Sequence, residues 1–355
     1  MYTSHCLENS GYRLSVELAE REVRVSIYDR TMACWIAAGP YHYEAARSCH
    51  EGTLVAEWLI DPLVESRGDA LTVRGQLAGL DVTHRFVLPS GRPYMEERLT
   101  LRNGHDEPVE LTGLACGVQR RFTDSSGVVL PELRSDRLIA IPFRHRATDA
   151  DDWDNDFDLT HFLVYAGQEP RANPQEDPDA RPTRVPGDRW LSEGWAWLHD
   201  GRALGVFKVN QEAIEFSVLQ RRVRDDGVWL GFGGVGMTDG EPSALRAIPP
   251  GHTVELGLTR FHTTRGAYGA AAAAFRSFLD EHGCRFPPTY NPPVHWNELY
   301  NNAEWSLGAG GRPPEPRATR AITYTRDLML QEAGWAVEYG CEALYLDPGW
   351  DTDFA

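Results

Sequence analysis

The fold class predicted by this sequence is β followed by α/β: a large antiparallel β-supersandwich, then the first βαβ unit of an incomplete (β/α)8 barrel. Three observations predict it. Alternating apolar segments fill residues 1 to about 262 without a helical run of any length. One amphipathic helical stretch and a proline-rich connector follow. After residue 292 the order becomes strand, helix, strand, which builds parallel sheet. The expected boundaries are 1–263 for the sandwich, 264–291 for the helical connector and 292–355 for the start of the barrel domain.

Taken in order, "YRLSVEL" sets Tyr12, Leu14, Val16 and Leu18 on one face, and "VRVSI" does the same with Val23, Val25 and Ile27. "LDVTHRFVL" puts Leu80, Val82, His84, Phe86 and Leu88 on one side. "MEERLTLRNG" closes on the turn pair Asn103-Gly104, and "VELTGL" resumes the alternation after Pro108. "WAWLHDGRALGVFKV" predicts a hairpin turning at Asp200-Gly201. Trp195 and Trp197 share a face there, with Ala196 between them, and read as core. Two stretches break the rhythm. One carries Asp149, Asp151, Asp152, Asp154, Asp156 and Asp158; the other, "GQEPRANPQEDPDARPTRVPGD", reads as a long surface loop. The aspartate run departs from a calcium loop. Counting from Asp152, Phe157 stands where glycine is needed and Leu163 where glutamate is needed, so a solvated acidic loop is expected.

In "TRGAYGAAAAAFRSFLDEHG", Thr264 reads as an N-cap, Tyr268, Ala272, Phe275 and Leu279 as an apolar stripe, and Gly283 as the stop. "CRFPPTYNPP" connects. "PVHWNELY" is a strand candidate. "TRDLMLQEAGWAVEYG" is a helix capped by Thr325, with Leu330, Ala333, Val337 and Cys341 along one stripe and Gly340 as its stop. "ALYL" is the next strand, continuously apolar as a strand covered on both faces should be.

A chain of 355 residues accommodates more than one domain. Its net charge of −17 argues against phosphate backbones and anionic membrane surfaces, so no nucleic acid and no membrane are expected as partners. Cys6, Cys34, Cys49, Cys116, Cys284 and Cys341 show no metal-site or disulfide-framework spacing and read as buried free thiols. No segment has the roughly 20 apolar residues of a membrane span, and no signal-peptide pattern opens the chain, so a cytoplasmic location is expected. No cofactor and no metal site is expected.

Candidate chemistry gathers at the two predicted parallel strand ends. Asn297 and Glu298 follow the first, and Asp347, Trp350 and Asp351 follow the second. In a (β/α)8 barrel such positions lie on the catalytic face. A complete barrel takes roughly 250 residues, more than 292–355 supplies, so the sequence is expected to be truncated.

The segments "PPVHWNELYNN" and "GCEALYLDPGWDT", behind a large sandwich and a helix, resemble the melibiase-type α-galactosidases of glycoside hydrolase family 36, whose N-terminal domain is a galactose mutarotase-like supersandwich ahead of a TIM barrel. The first family segment, Asn-Ser-Trp-Glu-like, matches His295, Trp296, Asn297 and Glu298. The second, Leu-Asp-Asp-Gly-Trp, matches Leu346, Asp347, Pro348, Gly349 and Trp350, with proline replacing the second aspartate. The resemblance implies a retaining α-glycosidase acting on terminal α-linked sugars of oligosaccharides or glycosides, and it is compatible with a homo-oligomer at full length. It implies substrate-binding roles for Trp296, Asn297, Glu298, Asp347, Trp350 and Asp351. The catalytic nucleophile and acid/base would be aspartates on later strands, so no catalytic residue is expected within this chain. The competing expectation is a non-catalytic carbohydrate-binding β-sandwich.

Overall fold

The computed structural model describes residues 3–19, 22–49, 52–141, 156–158, 189–210, 215–236, 247–297 and 325–346. The chain divides into two compact units, Met1–Cys284 and Arg285–Ala355.

The first unit is an antiparallel sandwich built from three sheets. One contains β1 (Thr3–Glu8), β2 (Tyr12–Ala19), β3 (Glu22–Asp29) and β4 (Cys34–Pro40), paired in chain order. The next strands are β5 (His42–Cys49), β6 (Gly52–Ala56), β7 (Ile60–Arg67), β8 (Ala70–Leu77), β9 (Leu80–Val87), β10 (Tyr94–Arg102), β11 (Leu111–Arg121), β12 (Arg137–Ile141) and β13 (Asp156–Asp158). After them come β14 (Arg189–Ser192), β15 (Gly194–His199), β16 (Arg202–Val209), β17 (Ser217–Arg224), β18 (Gly227–Gly236), β19 (Thr253–Glu255) and β20 (Leu258–Arg265). A six-stranded sheet runs β14-β17-β18-β11-β5-β6. A ten-stranded sheet runs β13-β12-β15-β16-β20-β10-β9-β8-β7, with β19 also pairing β10.

The period-two patterns place the core as expected. Tyr12, Leu14, Val16, Val25 and Ile27 are buried from the first sheet, and Leu80, Val82, His84 and Phe86 from the ten-stranded one. One continuous apolar core draws side chains from all three sheets. Trp195 and Trp197 point into it, while Ala196, on the opposite face of β15, lies under a helix. Each indole N–H is satisfied, Trp195 by the Ser217 carbonyl (3.1 Å) and Trp197 by the Asp136 carboxylate (2.7 Å), as a buried tryptophan requires. The Asp200-Gly201 turn has both residues at positive φ, 44° and 69°, which matches the twist of the strands it joins.

That helix, α1 (Tyr268–Glu281), buries Ala271, Phe275 and Phe278 on the outer face of the ten-stranded sheet. Phe207 meets Phe275 and Phe278 at centroid distances of 5.4 and 5.9 Å. Burying each of these rings is worth about 1.5–3 kcal/mol. The helix expected to connect the domains is thus packed within the first unit. Its buried stripe is set by the sheet beneath, so only Phe275 of the predicted stripe is fully covered. Thr264 is not its N-cap. Thr264 still pairs with Ala203 inside the sheet, and the uncapped Ala267 begins the helix.

Three further expectations change. Asn103-Gly104 does not close a hairpin. Asn103 is fully buried, and its amide donates to the Glu107 and Ile248 carbonyls, so it ties β10 to the crossing chain. Asp156–Asp158, expected in a solvated loop, forms β13 and pairs with β12; the rest of the acidic run and the proline-rich stretch lie outside the described residues. All six cysteines are free, but only Cys116 is fully buried, and Cys6, Cys49 and Cys284 are exposed. Burial pushes the Cys116 thiol up to about 12. No helix among the described residues is long and apolar enough to cross a membrane.

The second unit contains β21 (His295–Asn297), α2 (Arg326–Glu338) and β22 (Ala343–Tyr345), with the two strands pairing in parallel. Thr325 caps α2, its hydroxyl accepting from Leu328 N (3.3 Å). Both helices end in the same way. Gly283 and Gly340 sit at φ 86° and 75°, and the amides of Cys284 and Cys341 reach back to the carbonyls of Leu279 and Ala336.

Candidate functional site

In β21 and β22 the parallel register pairs His295 with Ala343, Trp296 with Leu344 and Asn297 with Tyr345. Side chains alternate across a strand, so His295, Asn297, Ala343 and Tyr345 share one face and Trp296 and Leu344 the other. The ring contact of His295 with Tyr345, 5.7 Å between centroids, lies on the first face. Helix α2 covers the second. Trp296 donates its indole N–H to Glu332 at 2.8 Å and stacks on Tyr339 at 5.5 Å and 16°. Glu332 is 1% exposed.

This placement separates two residues that the sequence grouped together. Trp296, expected to wall a sugar pocket, is turned onto the helix layer, where its N–H is taken by a buried carboxylate. Asn297, the last residue of β21, is on the face away from α2. The stripe predicted for α2 is also displaced. Leu330 and Val337 are 57% and 76% exposed, whereas Glu332 and Ala336 face the strands. Glu332 is drawn in by the indole N–H, a pairing that apolar periodicity could not reveal. Glu298, Asp347, Trp350 and Asp351 lie outside the described residues.

The first unit holds a buried polar cluster between its sheets. Tyr43 O–H donates to His84 Nδ1 (2.8 Å), His84 Nε2 donates to Glu97 (3.3 Å), and Tyr41 O–H donates to Glu97 (3.2 Å). The carboxylate can only accept, which assigns the imidazole tautomer. Glu97 also accepts from Gly234 N. Gly234 in turn offers its carbonyl to Thr259 Oγ1 (2.7 Å) and Lys208 Nζ (3.2 Å). Lys208 pairs with Glu215 at 3.0 Å. His84 and Glu97 are 1% and 2% exposed, so this network binds strands to one another. Burial raises the hydroxyl pKa values of Tyr41 and Tyr43 well above their usual range, with the Glu97 charge adding to it for both. Alternation places His84 on the inward face of β9 but does not reveal its partners, which lie on β5 and β10. Among the described residues no group of three His, Cys, Asp or Glu side chains is placed to hold a metal ion.

The described fold is an antiparallel β-sandwich with a parallel βαβ unit. Among solved structures, the chain is similar to the α-galactosidase from Lactobacillus brevis, with 9% identity, a TM-score of 0.48, and 98% of this chain and 48% of that one covered. It is similar to a glycoside hydrolase family 36 α-galactosidase from Geobacillus stearothermophilus in complex with 1-deoxygalactonojirimycin, with 11% identity, a TM-score of 0.45, and 98% and 50% covered. It is also similar to a galactose mutarotase related enzyme from Lactobacillus acidophilus, with 11% identity, a TM-score of 0.41, and 73% and 97% covered. The chain therefore spans about half the length of the two α-galactosidases. No family model and no curated protein matches the sequence.

Proposed function

We propose that this chain is the N-terminal part of a retaining α-glycosidase, α-galactosidase-like, acting on terminal α-linked sugars. The observation that carries the reading is the parallel β21-α2-β22 unit, with Asn297 at a strand end on the face away from the helix. That is where a (β/α)8 enzyme collects its binding groups. The motif that follows β22 supplies the remaining chemistry. Asp347 and Asp351 would accept hydrogen bonds from sugar hydroxyls, Trp350 would cover a pyranose face, and Asn297 and Glu298 would complete the polar wall. Trp296 has a packing role in this reading. Retention requires two carboxyl groups about 5–5.5 Å apart, one as nucleophile and one as acid, then base. By the family resemblance these come from later strands.

A charged hydrogen bond to a hydroxyl is worth about 1.5–3 kcal/mol. In the complete gene product, Asp347→Asn should lower kcat/KM for an aryl α-galactoside by about ten- to a hundredfold, with the melting temperature unchanged. A lower melting temperature with wild-type kcat/KM would make Asp347 a structural cap. Absence of turnover by the complete wild-type product on aryl α-galactosides and α-glucosides would overturn the glycosidase reading.

A further inference from the structure

The first unit carries a cleft of about 640 Å³, bordered by the start of β5, the link between β6 and β7, and the strands β11 and β17. This volume is in the range of small-molecule sites, about 300–1,000 Å³. Three features of its lining point to a ligand. The first is Trp58, which is 61% exposed at the rim while the next residue, Leu59, is 2% exposed and anchored in the core. The link is thus pinned, and the indole is presented from a fixed base.

The second feature is Gln119, 2% exposed, whose carbonyl oxygen accepts from Arg224 Nη2 at 2.6 Å. That leaves its amide nitrogen with two N–H groups and no partner among the described residues. Gln119 borders the cleft, so those N–H groups are available to a ligand there. The third is the state of the cations. Arg222 donates to Glu44 (3.1 Å) and Gln220 (3.2 Å), and Arg224 lies over the Trp229 ring at 4.9 Å. Arg222 is already balanced by a carboxylate, and the chain carries a net charge of −17. A polyanion would find little attraction here. A neutral, hydroxyl-rich ligand with one apolar face fits: indole against C–H groups, amide and guanidinium N–H groups to hydroxyl oxygens.

We propose that this cleft is a saccharide-binding site on the sandwich, for neutral oligosaccharides, additional to the strand-end site of the second unit. The choice of saccharide as ligand rests on the glycosidase reading above; the cleft itself does not.

The test is calorimetric titration of the chain with raffinose, maltotriose and cellotriose, and with trigalacturonate as the charged comparator. The variants are Trp58→Ala, Gln119→Ala, Asn297→Ala and Asp347→Asn, each checked by circular dichroism. Trp58 is largely exposed, so its variant should fold as the wild type does. The expected result is binding of at least one neutral trisaccharide, weakened about tenfold or more by Trp58→Ala and by Gln119→Ala, with a component of that binding surviving both Asn297→Ala and Asp347→Asn. Binding abolished by Asn297→Ala or Asp347→Asn but indifferent to Trp58→Ala would overturn the cleft and leave the glycosidase reading standing. Binding of trigalacturonate alone would overturn the neutral class. No binding of any neutral trisaccharide would overturn the inference, whatever the hydrolysis assay shows.

Discussion

The side chains of Lys208 and Glu215 are each 1% exposed, and their charged groups lie 3.0 Å apart. The ammonium also donates to the Gly257 carbonyl (2.6 Å), and the carboxylate accepts from Gly257 N (2.9 Å), so the pair fastens β16 to the chain entering β20. Removing one member leaves the other charge buried without its counter-ion, which costs about 3–5 kcal/mol. Lys208→Met should therefore lower the unfolding free energy by about that amount in urea titration, and adding Glu215→Gln should recover part of it. A coupling energy near zero in the double-mutant cycle would show that the two charges are held independently. Gly234 has a related role. Its φ of 60° brings its N–H to Glu97 and its carbonyl to Lys208, and a Cβ there would strike the Cys116 carbonyl.

At the scale of elements, the contact of α1 with β20 is polar at its margin. Arg260 pairs with Glu96 (2.6 Å) and Glu281 (2.7 Å), and its guanidinium lies over the Tyr94 ring (3.9 Å) and the Phe278 ring (4.8 Å). His262 and His282 flank this group. Burial, reinforced by the Arg260 charge, holds both imidazoles below their ordinary value; Glu281 opposes this at both, Glu96 also opposes it at His282, and Arg98 adds to the lowering there. The folded state thus favours neutral histidine. The unfolded chain gains protons as pH falls through about 6.5, so the stability these groups contribute is complete above that value and is lost below it. Asp29 and Glu193 act in the opposite sense, because burial raises their carboxyl pKa values and acidification relieves that penalty. The melting temperature should fall between pH 7.5 and 5.5, and the double variant His262→Asn, His282→Asn should show a shallower fall. An identical slope in that variant would remove the two histidines from the account.

At the scale of the whole molecule, the first unit has a continuous core spanning three sheets, whereas the second shows two three-residue strands and one helix among its described residues. Between Cys284 and β21 the chain has no regular structure, and Phe286, Tyr290 and Val294 are 61%, 54% and 64% exposed. Thermolysin cuts beside exposed apolar residues in unstructured backbone. Limited digestion should give a resistant core whose C-terminal boundary, read by mass spectrometry, falls near Cys284. A resistant core that extends through α2 would show the second unit to be as well protected as the sandwich.

Strand alternation over Tyr12–Leu18, Val23–Ile27 and Leu80–Leu88, the Asp200-Gly201 hairpin, the inward Trp195 and Trp197, the Thr325 cap and the stops at Gly283 and Gly340 were all determined by the sequence alone. Each depends on neighbours within a few residues, through side-chain periodicity or local backbone preference. The parallel partnership of β21 and β22 was legible as well, because a strand-helix-strand order allows little else. Tertiary structure decided what depends on distant partners. Thr264 stayed in the sheet because Ala203 pairs with it, and Trp296 turned to the helix because Glu332 waits there. Leu330 and Val337 were left outside because Glu332 and Ala336 took the covered face. Trp58, Gln119 and Arg224 border one cleft only after three segments remote in the chain have been folded together. Periodicity reports which face of an element is apolar, but the identity of what lies against that face is a property of the assembled sheets.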